Sequence, residues 1–317
     1  MSQDLRWKDT RVLVTGAGGF LGGAVSRRLL NQGARVHGTF HSPARPVPAG
    51  ITGHPMELTE PEGLEALIAA CEPDVVIHLA APIQLTRDPA AFPPMTDAIL
   101  RATDAVARAC LRQRARLLYA GTCEEYGDGE APFLESQAPR PVSPYSAAKA
   151  AASHWVGCLS RTTALEAVVV RPFLTYGPGQ RGSRLIPSAV RAALEGRAFP
   201  MTDGLQTREV NYVEDMARGI TLAAGAGAAV GRLLNLGGGP ELTVLSLVQR
   251  IFALCEADPA LVRPGALSRR AGEVATRFVG DHALARSLLG FSPEVSLDEG
   301  LRRTIQATRS ESARRSG

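Results

Sequence analysis

The chain has 317 residues, 45% hydrophobic and 21% charged, a globular composition able to bury a core and sufficient for one large α/β unit or two modest domains. Its net charge of +4, from 35 basic and 31 acidic residues, is too small to suggest a nucleic-acid binder, and no apolar run is long enough to span a membrane. Five scattered cysteines without CxxC spacing argue against a disulfide framework and against a zinc site; no metal is expected, and most of the thiols read as small packed residues.

The opening MSQDLRWKDTRVLVTG lacks a secretory apolar region, so a cytoplasmic location is expected. Residues 11–15 (RVLVT) read as a buried strand before a glycine turn, and Phe20 to Gln32 shows helical spacing stopped by Gly33. A strand ARVHGTF (34–40) follows, then a helix over 61–71, strand DVVIHLAA (74–81), a helix over 95–112 and strand ARLLYAG (115–121). A helix over 143–160 leads into strand LEAVVVRP (165–172). Alternation of this kind, with near-continuous apolar strands, predicts a parallel sheet covered on both faces. After residue 172 the rhythm is lost to Gly- and Pro-bearing loops. We read 1–172 as a cofactor domain to which about 210–236 returns, 173–209 and 237–308 as a smaller substrate-binding lobe, and 309–317 as a flexible tail.

Thr15-Gly-Ala-Gly-Gly-Phe-Leu-Gly22 sits between a strand and a helix. Glycines there let the turn tighten and let backbone N–H groups approach a pyrophosphate at the helix N-terminus. NAD sites usually add an acid about 20 residues on, for the ribose 2′-OH, whereas NADP sites offer a cation. Here His41, Ser42 and Arg45 follow the second strand and no acid lies between Asp9 and Glu57, which favours NADP over NAD. Tyr145-Ser-Ala-Ala-Lys149 places a phenol and an ammonium one helical turn apart, shortly after Thr122 at a strand's carboxyl end. A cation there favours the phenolate, so Tyr145 reads as a proton carrier.

TGAGGFLG, HLAA (78–81), GTCEEYG (121–127), SPYSAAK (143–149), RPFLTYGPGQ (171–180), QTREVNYVED (206–215) and RRAGE (269–273) resemble successive landmarks of the NAD-dependent epimerase/dehydratase family, the extended short-chain dehydrogenases that modify nucleotide sugars. The resemblance implies a Rossmann-type doubly wound parallel sheet and a homodimer. It implies Thr122, Tyr145 and Lys149 as the catalytic set, with Arg208 and Arg270 on the substrate diphosphate. Cofactor contacts implied beyond the glycine turn (Gly16, Gly19, Phe20, Leu21, Gly22) fall on His41, Ser42, Arg45, Glu57, Leu58, Leu79, Ala80, Ala81 and Pro172, besides Tyr145 and Lys149.

Three positions depart from the family pattern: Leu174 and Ile99 stand where it has Asn, and Glu57 where Asp is common. Thr122-Cys123-Glu124 bears on the reaction. Family 4,6-dehydratases carry an acid and then a Glu after the Ser/Thr. Glu124 fits the eliminating base, while Cys123 replaces the acid and reads either as a thiol proton donor or as a packed small residue. The leading expectation is a nucleotide-sugar dehydratase. A 4-keto-6-deoxysugar reductase using NADPH, an epimerase or decarboxylase, and a non-enzymatic cofactor-binding regulatory subunit are the alternatives.

Overall fold

The computed structural model describes residues 5–42, 47–84, 86–180, 182–268 and 277–316. Five strands follow the apolar runs, β1 (Arg11–Thr15), β2 (Arg35–Phe40), β4 (Val75–His78), β5 (Arg116–Ala120) and β6 (Ala167–Pro172), and a sixth, β3 (Thr52–Pro55), does not. With Leu233–Leu236 they form one seven-stranded parallel sheet, ordered Leu233–Leu236, β6, β5, β4, β1, β2, β3. The order reverses between β1 and β4, and at such a switch point strand ends diverge and leave a crevice for a ligand.

Helices α1 (Phe20–Asn31) and α7 (Val213–Gly225) cover one face of the sheet. The other face is covered by α2 (Pro61–Cys71), α4 (Ala102–Gln113) and α5 (Pro144–Thr162). The short helix α3 (Phe92–Met95) enters α4 through a π segment, Thr96–Arg101, in which Ile99 is buried. Beyond the sheet, α6 (Leu185–Leu194), α8 (Val244–Leu254) and α10 (Leu297–Ser316) pack together, and α9 (Ala283–Leu289) lies against Leu233–Leu236. Strand Thr207–Glu209 pairs with Glu241–Thr243 and with Arg277–Phe278. Among the described residues no helix is long and apolar enough to cross a membrane.

Three expectations need correction. β3 was not expected, because TGHP is a short, mostly exposed edge strand whose Gly and Pro read as a loop. Leu79, Ala80 and Ala81 lie beyond β4, which ends at His78, and so form a loop rather than a strand end. Residues from 309 onward were read as a tail, yet α10 continues through them to Ser316: no Gly or Pro interrupts before Gly317, and Ala, Arg and Glu are good helix formers.

Candidate active site

The turn after β1 is shaped by close backbone packing. Gly16 takes φ +73°, and a Cβ there would press on the Ala80 backbone at 3.0 Å. A Cβ on Gly22 would collide with the Gly16 carbonyl, so α1 meets the turn only through glycine. Thr15 and Thr39 hold the arrangement: Thr15 Oγ1 accepts from Ala80 N–H at 3.2 Å, and Thr39 Oγ1 accepts from Gly16 N–H at 2.9 Å. The N-cap of α1 is Gly19, no side chain caps the helix, and its first turn has no acid. The N-terminal N–H groups and the positive end of the helix dipole thus suit a pyrophosphate.

At the end of β2 the linear reading meets a spatial surprise. The Glu57 carboxylate, supplied by the segment after β3, lies 2.6 Å from His41 Nδ1. An acid therefore stands beside the residues read as an acid-free cationic rim, because β3 runs parallel to β2 and brings its following residues alongside. Ser42 adjoins this pair, Leu58 packs into the cluster on the α2 face, and Arg45 lies outside the described residues.

Thr122, two residues beyond β5, caps the 3-10 turn Cys123–Tyr126, its Oγ1 accepting from Glu124 N–H at 3.2 Å. The turn hangs on Glu125, a fully buried carboxylate that the sequence reading passed over. Glu125 accepts from Thr122 N–H at 2.9 Å, Ser153 Oγ at 2.8 Å and Arg171 Nε at 2.8 Å. Arg171, on β6 one residue before Pro172, is also buried and lies 4.4 Å over the Tyr126 ring. The available signal was the charged residue inside the apolar run of β6, since a buried arginine requires an acid.

Ser143 caps α5, accepting from Ser146 N–H at 3.1 Å, and the first turns of that helix carry Tyr145 and Lys149 into the interior. Burial pushes the Tyr145 phenol well up from its ordinary value. The nearby charges of Glu124 and Cys123 push the same way, and a hydrogen bond with Thr122 opposes them. Lys149 does not hold the phenol. Its Nζ donates to Ala120 O at 2.7 Å and sits 4.8 Å over the Tyr119 ring, and burial lowers its pKa to about 8. The expected phenolate-favouring cation is thus outweighed by desolvation here.

Glu124 is raised from its usual range by burial, while the charges of Arg184, Arg208 and Arg87 pull it back. The structure thereby brings Thr122, Cys123, Glu124, Tyr145 and Arg208 to one place. Arg208 sits 5.6 Å over the Phe278 ring, its NH1 donating to Thr207 O at 2.8 Å. Arg270 lies outside the described residues. Cys123 packs with Tyr126, Phe133 and Phe173, and burial raises its thiol well above the ordinary value, so it keeps its proton. Leu174, at a position where the family pattern has Asn, is exposed.

A doubly wound parallel sheet, a glycine-bent first turn and a Tyr–Lys pair on the helix after β5 together define an enzyme of the extended short-chain dehydrogenase/reductase class. A family model described as the NAD dependent epimerase/dehydratase family matches residues 12–237. The chain belongs to that family. The dTDP-glucose 4,6-dehydratase of Neisseria gonorrhoeae is 31% identical over 329 aligned residues, covering 93% of this chain and 94% of the relative. The structure of DesIV, a dTDP-glucose 4,6-dehydratase from Streptomyces venezuelae with NAD bound, superposes with a TM-score of 0.87 at 27% identity, covering 96% and 98% of the two chains. MoeE5 in complex with UDP-glucose and NAD gives 0.85 at 30% identity, covering 95% and 99%.

Proposed function

We propose that this protein is a nucleotide-sugar dehydratase that oxidises the sugar at C4, eliminates water and returns the hydride. The observation that carries the reading is the meeting of Glu124, Cys123 and Tyr145 in one buried site. Curated relatives named dTDP-glucose 4,6-dehydratase support it. The bound dinucleotide supplies the hydride acceptor and the returning hydride. Tyr145, assisted by Thr122, exchanges the proton of the C4 hydroxyl, and Lys149 completes the set as a cation near the cofactor ribose. Glu124, made a stronger base by burial, removes the carbon-bound proton that the C4 ketone acidifies. Cys123, protonated at neutral pH, would give its proton to the departing hydroxyl and regain one from the proton that Tyr145 takes from the C4 hydroxyl. Arg208 and Arg270 bind the diphosphate.

The glycine turn, the 79–81 loop and the His41–Glu57 rim would hold the dinucleotide. NADP(H) preference rests on His41 and Arg45, whereas the Glu57 carboxylate beside His41 favours NAD. Residues 1–172 with 210–236 would form the cofactor domain and the remainder the substrate lobe. An apolar groove of about 600 Å³ along α4 and α5, lined by Leu100, Ala151 and the exposed Trp155, supports a homodimer.

Glu124→Gln keeps shape and hydrogen bonding but is no base at neutral pH. With dTDP-glucose or UDP-glucose added, this variant is expected to show reduced nicotinamide absorbance and accumulate the 4-keto hexose without loss of water. Full conversion at an undiminished rate would rule out Glu124 as the eliminating base, and no conversion of either sugar by the unaltered protein would favour the reductase. For the cofactor, titration of dinucleotide-free protein with NAD and NADP is expected to show tighter NADP binding that weakens in Arg45→Ala. Tighter NAD binding, relaxed in Glu57→Gln, would assign the rim to Glu57 instead.

A further inference from the structure

The outer edge of the main sheet carries a cluster that the catalytic reading does not use. His37 lies on β2, His54 on the neighbouring β3, and Cys71 is the last residue of α2. The parallel register pairs His54 with Thr39, two residues from His37. Side chains two apart on a strand share a face, so the two imidazoles become diagonal neighbours. They stack with centroids 5.3 Å apart and planes inclined by 15°. Helix α2 stops at a left-handed Glu72, leaving Cys71 at the end of its final turn against both rings. His37 Nδ1 stands 3.0 Å from His54 Nε2 and 3.4 Å from Cys71 Sγ, and the thiol lies 4.0 Å from His54 Nε2.

We propose that His37, His54 and Cys71 form a site for a divalent cation of the zinc class, with water as the fourth ligand. Two imidazoles and a thiolate are the donors such an ion prefers over oxygen-only ligands. Bond lengths of about 2.0–2.1 Å to nitrogen and about 2.3 Å to sulfur give tetrahedral edges of about 3.3 Å between nitrogens and about 3.6 Å between nitrogen and sulfur. The observed separations bracket those edges, so side-chain adjustments of about half an ångström close the site. As the sulfur–metal bond forms, the Cys71 S–H bond breaks and its proton passes to solvent. The ion would staple the short, mostly exposed edge strand β3 and its neighbour β2 to α2.

The site is absent from any linear motif search because its ligands come from three elements, 17 and 34 residues apart. Tag-free, chelator-stripped protein titrated with cobalt(II) tests it. A single equivalent is expected to produce a near-ultraviolet thiolate-to-cobalt band with tetrahedral visible bands. Zinc(II) should bleach both and raise the melting temperature. Cys71→Ser should lose the thiolate band, and His54→Gln should weaken cobalt binding by about tenfold or more, the loss seen even for outer-shell partners of a metal. No thiolate band in the unaltered protein would overturn the proposal without recourse to any variant. So would a band surviving in Cys71→Ser, or zinc stabilising both variants as much as the parent.

Discussion

Two buried carboxylates near the candidate site are held by different partners. Glu125, beneath the catalytic turn, is paired with the buried Arg171 guanidinium and also takes the Thr122 N–H and the Ser153 hydroxyl. Glu209, at the end of strand Thr207–Glu209, takes the N–H groups of Gly238 at 3.0 Å and Gly280 at 2.8 Å, the Asn211 amide at 3.1 Å and the His282 ring at 2.8 Å. The first is a charge pair between a turn and strand β6. The second spreads one charge over backbone dipoles, an amide and an imidazole. A charge pair deep in low dielectric cannot lose one member cheaply, whereas a set of hydrogen bonds can redistribute. The turn Cys123–Tyr126 is therefore expected to be the more costly of the two to release.

The largest expected effect tests that ordering directly. Glu125→Ala leaves Arg171 buried without its acid and orphans Thr122 N–H, so denaturant unfolding should show a loss of about 3–5 kcal/mol. A loss below about 1 kcal/mol, the net value of one ordinary hydrogen bond, would mean that the pair contributes no anchoring.

A pH effect comes next and belongs to the same carboxylate, since Glu125 partly offsets the burial that lowers Lys149. Between about pH 8 and pH 10.5 the unfolded chain holds a lysine proton that the folded chain has released. Stability contributed by this residue therefore rises with pH across that window. In Lys149→Met the contribution vanishes, so the melting-temperature advantage of the variant near pH 7.5 should shrink by pH 9.5. A constant gap between the two proteins would contradict a depressed lysine.

Glu209→Gln is the mildest of the three. The amide keeps the shape and one acceptor but turns a donor toward groups that also donate, costing about 1–3 kcal/mol in thermal or denaturant unfolding. A loss as large as that of Glu125→Ala would erase the difference between the two carboxylates.

Much of the chemistry was legible locally. Strand β1 and helix α2 fall where apolar spacing places them, and the glycine turn and YxxxK announce themselves within a few residues. The π segment before α4 escaped, since an apolar helical pattern carries no mark of one extra residue in a turn. Glu57 is expected among the cofactor contacts, but its pairing with His41 escaped, because counting along the chain treats the two as remote while the parallel pairing of β2 and β3 makes them adjacent.

By itself the sequence determined the alternation of strand and helix, the glycine turn after the first strand and the placing of Tyr145 and Lys149 on one helix face, because each is written in spacings of one helical turn or one strand pleat. Only the tertiary structure decided that Arg171 neutralises Glu125, 46 residues away, that Lys149 bonds to Ala120 O rather than favouring the phenolate, and that His37, His54 and Cys71 converge. The reason is physical: strand order and register set which distant groups share a low-dielectric interior. Burial then sets their charges, and no window along the chain contains either quantity.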